Sequence, residues 1–337
     1  MNILIVGFGS IGQRHLKNLM DNYPDNKFSV LKYSQNKQVI QNCEIIQNRT
    51  IYDYYKDVKF FQDFQNIDLK NINCAFICND ANHHIEISAE LIKYDIDLFI
   101  EKPIDMNLDK AINFRNSLLH TKSIAVVGYQ SQFHPVYLKM KQLISDLEDD
   151  INYVEIKWAN YLPFYHPYED YTKRNSGKAS LGGGVLLALS HEINTLNTLF
   201  PSNKVLYSNL GYSKNFKIDT EDNVFSVLKK NNIKINFTLG YAQVFEERYI
   251  KVQTLDKYII GDYVMNKVTI YGKSGIEEEF QYELERNELF LSELKFFFKC
   301  VESRKVEINT VEQSIKDLEL VNNIKKMNKN NKEVIYE

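Results

Sequence analysis

Three segments of this chain combine residue types able to do chemistry. The first, VGFGSIG, sets Gly7, Gly9 and Gly12 in a GxGxxG pattern. Gly7 allows a tight turn, Gly9 lets the backbone approach a pyrophosphate, and Gly12 lets helix and strand pack closely. The helix opening here offers unpaired N–H groups, those of Ser10 and Ile11 among them, and the positive end of its dipole to phosphates. The pattern follows an apolar strand and starts a helix, the context that marks a dinucleotide-binding turn. About twenty residues further on, where a carboxylate would take the adenosine ribose of NAD, the chain reads Lys32, Tyr33, Ser34. A lysine and a hydroxyl tolerate a 2′-phosphate, so the expectation is NAD or NADP with a lean to NADP.

The second segment, FIEKP, puts Lys102 just past the end of an apolar strand, the edge where open α/β sheets bind ligands. The third, GGGVLLALSHEIN, carries His191. Leu186, Leu189, Ile193, Leu196 and Phe200 recur at helical spacing and make an apolar stripe. Ala188, His191, Asn194 and Thr198 fall on another face. HEINT is not a zinc motif, because HExxH needs a histidine where Thr195 stands. No metal is expected.

These segments need elements to hold them. Residues 1–125 alternate strand and helix signals: strands at 2–8, 27–34, 74–79, 97–103 and 123–129, helices at 10–22, 83–94 and 108–121. Such alternation predicts a doubly wound parallel sheet. From 126 to 337 the pattern changes. A helix at 134–147 and a strand at 151–161 precede the histidine helix, then residues 203–283 read as several strands of one large, mainly antiparallel open sheet. Helices at 286–302 and 310–328 close the chain. The expected class is α/β, with a Rossmann domain over 1–125 and a second α/β domain over 126–337.

Bulk composition narrows the function classes. The chain has 337 residues, 44% hydrophobic and 25% charged, and a net charge of −3. No basic field or aromatic–basic stripe favours nucleic acid. No apolar run reaches the roughly 18 residues of a membrane helix. Cys74 and Cys78 fall on an apolar strand and no CxxC occurs, so the four cysteines are expected to be reduced and the address cytoplasmic.

The order GxGxxG, a helix NHHIEISAEL, then EKP, then GGG…H resembles the Gfo/Idh/MocA oxidoreductases, the glucose–fructose oxidoreductase and inositol dehydrogenase family. The resemblance spans essentially the whole chain. It implies a Rossmann domain, a second domain whose open sheet builds a homodimer or homotetramer, a nicotinamide cofactor, and reversible oxidation of a hydroxyl on a sugar or cyclitol. It implies that Glu101-Lys102-Pro103 is the family's EKP, with Glu101 beside the cofactor and Lys102 in the active site. A partly desolvated lysine beside a nicotinamide cation has a lowered pKa and exchanges a proton near neutral pH. His84 matches a family histidine that supports the cofactor loop beginning at Asn79. His191 is implied as proton donor or acceptor opposite Lys102. Gln130 and Gln132 stand where members carry Asn and Arg, so the cation there is missing.

The loop YLPFYHPYEDY resembles a family branch with Pro-x-Trp-His-Pro-x-Glu-Asp-Tyr, associated with bacterial surface glycans. Tyr165 takes the tryptophan's place, and Tyr165, His166 and Asp170 are implied in sugar binding. The family pattern also has an aspartate one turn before the histidine and an acid three residues after it. Here those positions read Ala188 and Asn194. That opens two alternatives to a dehydrogenase: a catalytically silent cofactor-binding homologue, and a hydrolase or lyase that recycles its cofactor within each turnover.

Overall fold

The computed structural model describes residues 1–41, 44–165, 170–214 and 216–330. Strands β1 (Asn2–Val6), β2 (Lys27–Leu31), β5 (Lys59–Phe61), β6 (Cys74–Ile77), β7 (Asp97–Glu101) and β8 (Ala125–Gly128) form one parallel sheet in the order β5-β2-β1-β6-β7-β8. The order reverses between β1 and β6, so a crevice opens outside their carboxyl ends. A separate hairpin of β3 (Gln38–Gln41) and β4 (Glu44–Thr50), with the single turn α2 (Ile51–Tyr54), interrupts the βα rhythm.

Both faces of this sheet are covered, which is why its strands read as unbroken apolar runs. On one face Ile3, Ile5 and Phe76 pack with Leu16 and Leu19 of α1 (Ser10–Asn22). On the other, Leu4, Val6 and Ala75 pack with α3 (His84–Leu91) and α4 (Leu108–Leu118). The strand expected over 27–34 stops at Leu31, because the chain then turns to close the dinucleotide loop: Gly7 donates its N–H to the Leu31 carbonyl at 2.9 Å.

Helix α5 (Pro135–Asp146) leads from the first sheet to the second, with Pro135 at its first turn and His134 accepting the Val136 N–H. The second sheet has the order β10-β11-β12-β9-β13-β14-β15-β16. Its strands are β9 (Tyr153–Tyr161), β10 (Lys204–Gly211), β11 (Asn223–Lys230), β12 (Ile233–Gly240), β13 (Ala242–Gln253), β14 (Tyr258–Asp262), β15 (Lys267–Gly272) and β16 (Gly275–Gln281). All neighbours are antiparallel except β12 and β9. Val154, Ile156 and Trp158 face the core, while Tyr153, Glu155 and Lys157 alternate onto an open face. Register slips between Ala242 and Glu247, a bulge that turns β13 outward beside the site.

The histidine segment differs from its sequence reading. After the turn α6 (Leu162–Tyr165) come α7 (Val185–Ala188) and α8 (Ser190–Leu199), two pieces broken at Leu189, where φ is −95° and ψ is 31°. The apolar stripe runs through the break because both pieces bury it. Two long helices finish the fold, α9 (Arg286–Ser303) and α10 (Val311–Asn330). Helix α9 returns to the first sheet, where Leu294 and Phe297 pack against Phe76 and Phe99.

Candidate functional site

The glycine loop has the shape its spacing predicts. Gly7 has a φ of +86°, and a Cβ there would stand 2.5 Å from the Asn79 nitrogen. A Cβ on Gly12 would strike the Gly7 carbonyl, whereas nothing lies within 4 Å of where one on Gly9 would be. The open space at Gly9 is a cradle that a side chain would fill. Helix α1 starts there with no side-chain cap, leaving the first-turn N–H groups turned outward. These residues fit a pyrophosphate. Beyond β2, Tyr33 is exposed and Lys32 is buried, its ammonium donating to the Ser34 carbonyl.

Across the groove, His84 braces two loops. Its Nδ1 is 2.9 Å from the Pro103 carbonyl and its Nε2 2.9 Å from the Asn79 carbonyl. Burial holds its pKa below the usual histidine value, against the pull of those carbonyls. Glu101 closes β7 with Oε1 2.7 Å from His15 Nε2. Beneath it lies Glu293 of α9, fully buried, its pKa pushed well up by burial and by the Glu101 charge.

Lys102 follows at the strand edge and is the first of the two candidate acid–base groups. Its Nζ donates to the Ala188 carbonyl at 2.9 Å. That carbonyl is available because the helix breaks: Glu192 donates its N–H to Leu189, so no helical partner reaches Ala188. Burial pushes the Lys102 pKa down; Glu101 and Glu192 oppose this, and Arg248 and Arg286 add to it.

His191, on α8, is the second. It is 3% exposed, with Nδ1 3.1 Å from Ser131 Oγ and Tyr129 edge-on to its ring. Burial pushes its pKa well below 6.5, then Lys102, Arg248 and Arg286 push it further. Among the described residues no carboxylate pulls it back. The imidazole is therefore neutral at neutral pH.

Lys102 and His191 line one groove with Gly9, Ser10, Ile11, Asn79, His84 and Glu101. This groove of about 290 Å³ meets a second chamber of about 590 Å³, and Gln130, His191, Arg286 and Phe290 line both. Trp158, Asn160, Tyr161 and Arg248 line the chamber alone.

Not every expected residue reaches these cavities. Asn194 is fully buried behind them, accepting from Gln132 Nε2 at 2.6 Å and donating to Asp317 Oδ2 at 2.8 Å. Asp170 caps the turn at Thr172 and pairs with Lys173 at 3.2 Å; it lines neither cavity. His166 and the side chain of Tyr165 lie outside the described residues, as do Cys43 and Glu169.

Sequence reading missed Ser131, Asp317 and two arginines. Arg248 on β13 lies 4.2 Å over the Trp158 ring and 4.7 Å from that of Tyr263, and donates to Glu192 at 2.6 Å. Arg286 opens α9. The cations absent at Gln130 and Gln132 thus arrive from distant elements. Only the unusual Glu192 next to His191 hinted at a buried partner.

Among the described residues no helix is long and apolar enough to cross a membrane, and no cluster of His, Cys, Asp and Glu could hold a metal. Sequence comparison with curated proteins gives no match. Solved structures do share the fold. A levoglucosan dehydrogenase in complex with NADH and levoglucosan superposes with a TM-score of 0.80 at 11% identity, over 98% of this chain and 97% of that one. The myo-inositol 2-dehydrogenase of Lactobacillus plantarum gives 0.76 at 17%, over 98% and 97%. The UDP-N-acetylglucosamine 3-dehydrogenase of Acidithiobacillus ferrooxidans gives 0.74 at 13%, over 97% of each. At these identities the likeness is one of fold. Residues 1–142 match the model of an oxidoreductase family with an NAD-binding Rossmann fold. Those residues, with their glycine cradle and Lys102 at the strand edge, match the Gfo/Idh/MocA oxidoreductase model and resemble that family there.

Proposed function

We propose that this protein is an NAD(P)-dependent dehydrogenase that interconverts a hydroxyl and a ketone on a sugar or sugar derivative. The observation that carries the reading is that Lys102 and His191 line the same groove as the glycine cradle, at its junction with the larger chamber. When bound, the nicotinamide supplies the hydride acceptor. The chain's own residues manage the proton. In the tautomer whose Nδ1–H donates to Ser131, Nε2 is the basic atom, and the neutral ring takes the hydroxyl proton. Lys102, tied to Ala188, steadies the oxygen from which that proton leaves. A positioned acid–base group of this kind contributes roughly 10²- to 10⁴-fold in rate. His84 and Glu101 position the cofactor side; Asn194 supports Gln132 from behind.

At the ribose end no carboxylate follows β2, and Lys32 with Lys37 keeps that corner basic. This supports use of NADP alongside NAD. The open sheet face, with Tyr153, Tyr249 and Tyr258 exposed or partly exposed, supports a homo-oligomer.

The test is dinucleotide binding by the purified protein, followed by nicotinamide absorbance with sugars and nucleotide sugars. Turnover with net reduction supports the reading. Absence of dinucleotide binding overturns it. Binding without turnover of any sugar favours the silent homologue, and product without net reduction favours a cofactor-recycling hydrolase or lyase.

A further inference from the structure

Behind His191 stands a carboxylate that takes no part in the proton transfer. Asp317, on α10, is 3% exposed. Its Oδ2 accepts from Asn194 Nδ2 at 2.8 Å and its Oδ1 from Asn197 Nδ2 at 2.9 Å, both on α8, the helix that carries His191. The Tyr129 hydroxyl also bonds to it, and the Tyr129 ring stands edge-on to His191 with centroids 5.8 Å apart. Asn194 in turn accepts from Gln132 Nε2 at 2.6 Å. Gln132 is the neighbour of Ser131, whose Oγ lies 3.1 Å from His191 Nδ1. Tyr129, Ser131, Gln132, His191 and Asn194 are all buried.

The base of α10 is pinned to the first sheet. Val127 of β8 donates its N–H to the Asn309 carbonyl at 2.8 Å, and Thr310 bridges Val126. Asp317 therefore joins the segment 129–132, which continues β8, to the helix that carries His191. A neutral pair would pack in such a place at lower cost, because taking a carboxylate out of water is expensive. What the carboxylate adds is direction. When ionised it accepts and does not donate. Asn194 must turn its NH₂ towards Asp317, so it offers its carbonyl to Gln132, and Gln132 must answer with its own NH₂. The same constraint on Asn197 leaves its carbonyl for Asn203 Nδ2 at 3.1 Å. One buried charge thus orients two amides on α8 and the amide next to Ser131, through bonds stronger than those between neutral groups.

We infer that Asp317 is a positioning residue for the proposed dehydrogenase step: it orients Gln132 and Tyr129, and so holds Ser131 Oγ against Nδ1 of His191 and keeps Nε2 as the basic atom. This rests on the dehydrogenase reading and adds to it a residue from the far end of the chain. Asp317 lines neither cavity and acts through Asn194, Gln132 and Tyr129.

The experiment uses the full chain with NAD and the sugar it oxidises fastest, in buffer above the value of about 6 to which burial raises the Asp317 carboxyl. Asp317→Asn keeps the shape but sets an NH₂ against the amide of Asn194 or Asn197. The expected result is a kcat lower by about tenfold to a hundredfold, the loss that a small misplacement of reacting groups brings, with KM and NAD affinity unchanged. Adding Asn194→Asp reverses the path. The new carboxylate at 194 accepts from Gln132 and from the amide at 317, whose carbonyl stays with Asn197, and most of the lost kcat returns. Nitrogen NMR of the imidazole, assigned by its disappearance in His191→Gln, reads the same event without a substrate. The expected signals are one tautomer, protonated at Nδ1, in the parent and the double variant, and a mixture in Asp317→Asn. An unchanged kcat or an unchanged tautomer in Asp317→Asn overturns the inference. A double variant that folds but recovers neither also overturns it and makes the carboxylate a packing element only. If Asp317→Asn does not fold, the double variant decides by its own kcat and tautomer against the parent, and if no sugar turns over, the tautomers decide. Failure of NAD to bind the parent overturns the dehydrogenase reading, while the tautomers still test the hold of Asp317 on His191.

Discussion

The ammonium of Lys102 is bonded to the main-chain carbonyl of Ala188 at 2.9 Å. The contact joins the end of β7 to the break between α7 and α8, so the position expected to carry an acid contributes its backbone instead. The methyl of Ala188 leaves the cationic field around His191 undiluted.

Ala188→Asp would place a carboxylate beside both acid–base groups. An opposite charge raises the pKa of a lysine or histidine. His191 works as a base only while neutral, so the acid-side fall in kcat is expected to begin at a higher pH in the variant. A kcat–pH profile of both proteins checks this; coincident acid limbs would show that residue 188 does not reach His191 electrostatically.

Lys102→Met removes the charge and keeps much of the stem's packing. We expect kcat to fall by roughly 10²- to 10⁴-fold, with the dinucleotide Kd nearly unchanged, since the cradle at Gly9 is untouched. Single-turnover kinetics at saturating cofactor separates the two effects. A large loss of cofactor affinity with normal kcat would move Lys102 from chemistry to binding.

The glycines make opposite predictions. Gly9→Ala puts a methyl into open space, so stability should stay within about 0.5 kcal/mol while dinucleotide affinity falls, because the methyl stands where a pyrophosphate must approach. Gly12→Ala drives a methyl into the Gly7 carbonyl and should cost about 1–3 kcal/mol of stability, the usual cost of overpacking. Urea unfolding with and without NADH distinguishes them.

Asp317 sets a stability profile. Burial raises its pKa from 3.8 to about 6, although Asn194 and Asn197 both donate to it. A folded-state pKa above the unfolded one means the native protein holds the proton more tightly. The associated stability is complete below the unfolded value and is lost as pH rises through about 6. Relative to Asp317→Asn, the parent should gain about 3 kcal/mol as pH falls across that window. Paired denaturant titrations at several pH values measure it; a flat difference would mean that the Asp317 pKa is the same folded and unfolded.

The glycine spacing and the lysine were legible because each depends on local geometry: a turn, a helix start, a strand end. The parallel sheet was legible because both its faces are buried. The break at Leu189 was not, since Leu186, Leu189 and Ile193 keep one periodicity across it and only the tertiary tie to Lys102 marks the freed carbonyl. The hairpin at Gln38–Thr50 is too short and too polar to stand out. Arg248, Arg286 and Asp317 were invisible for another reason. Charged residues on a strand, a helix start and a C-terminal helix look solvent-facing until the fold brings them behind or beside His191.

The return of α9 to the first sheet also bears on how the protein is made. Ile3, Ile5 and Phe76 share one core with Leu294 and Phe297, which are synthesised about two hundred residues later. Until then the nascent Rossmann half carries an uncovered apolar face, a species prone to aggregate. Cofactor-binding competence should therefore arrive late in synthesis, after the whole second sheet has emerged. A release halted before residue 286 would leave the glycine loop complete but its supporting sheet half-dressed, a client for chaperones.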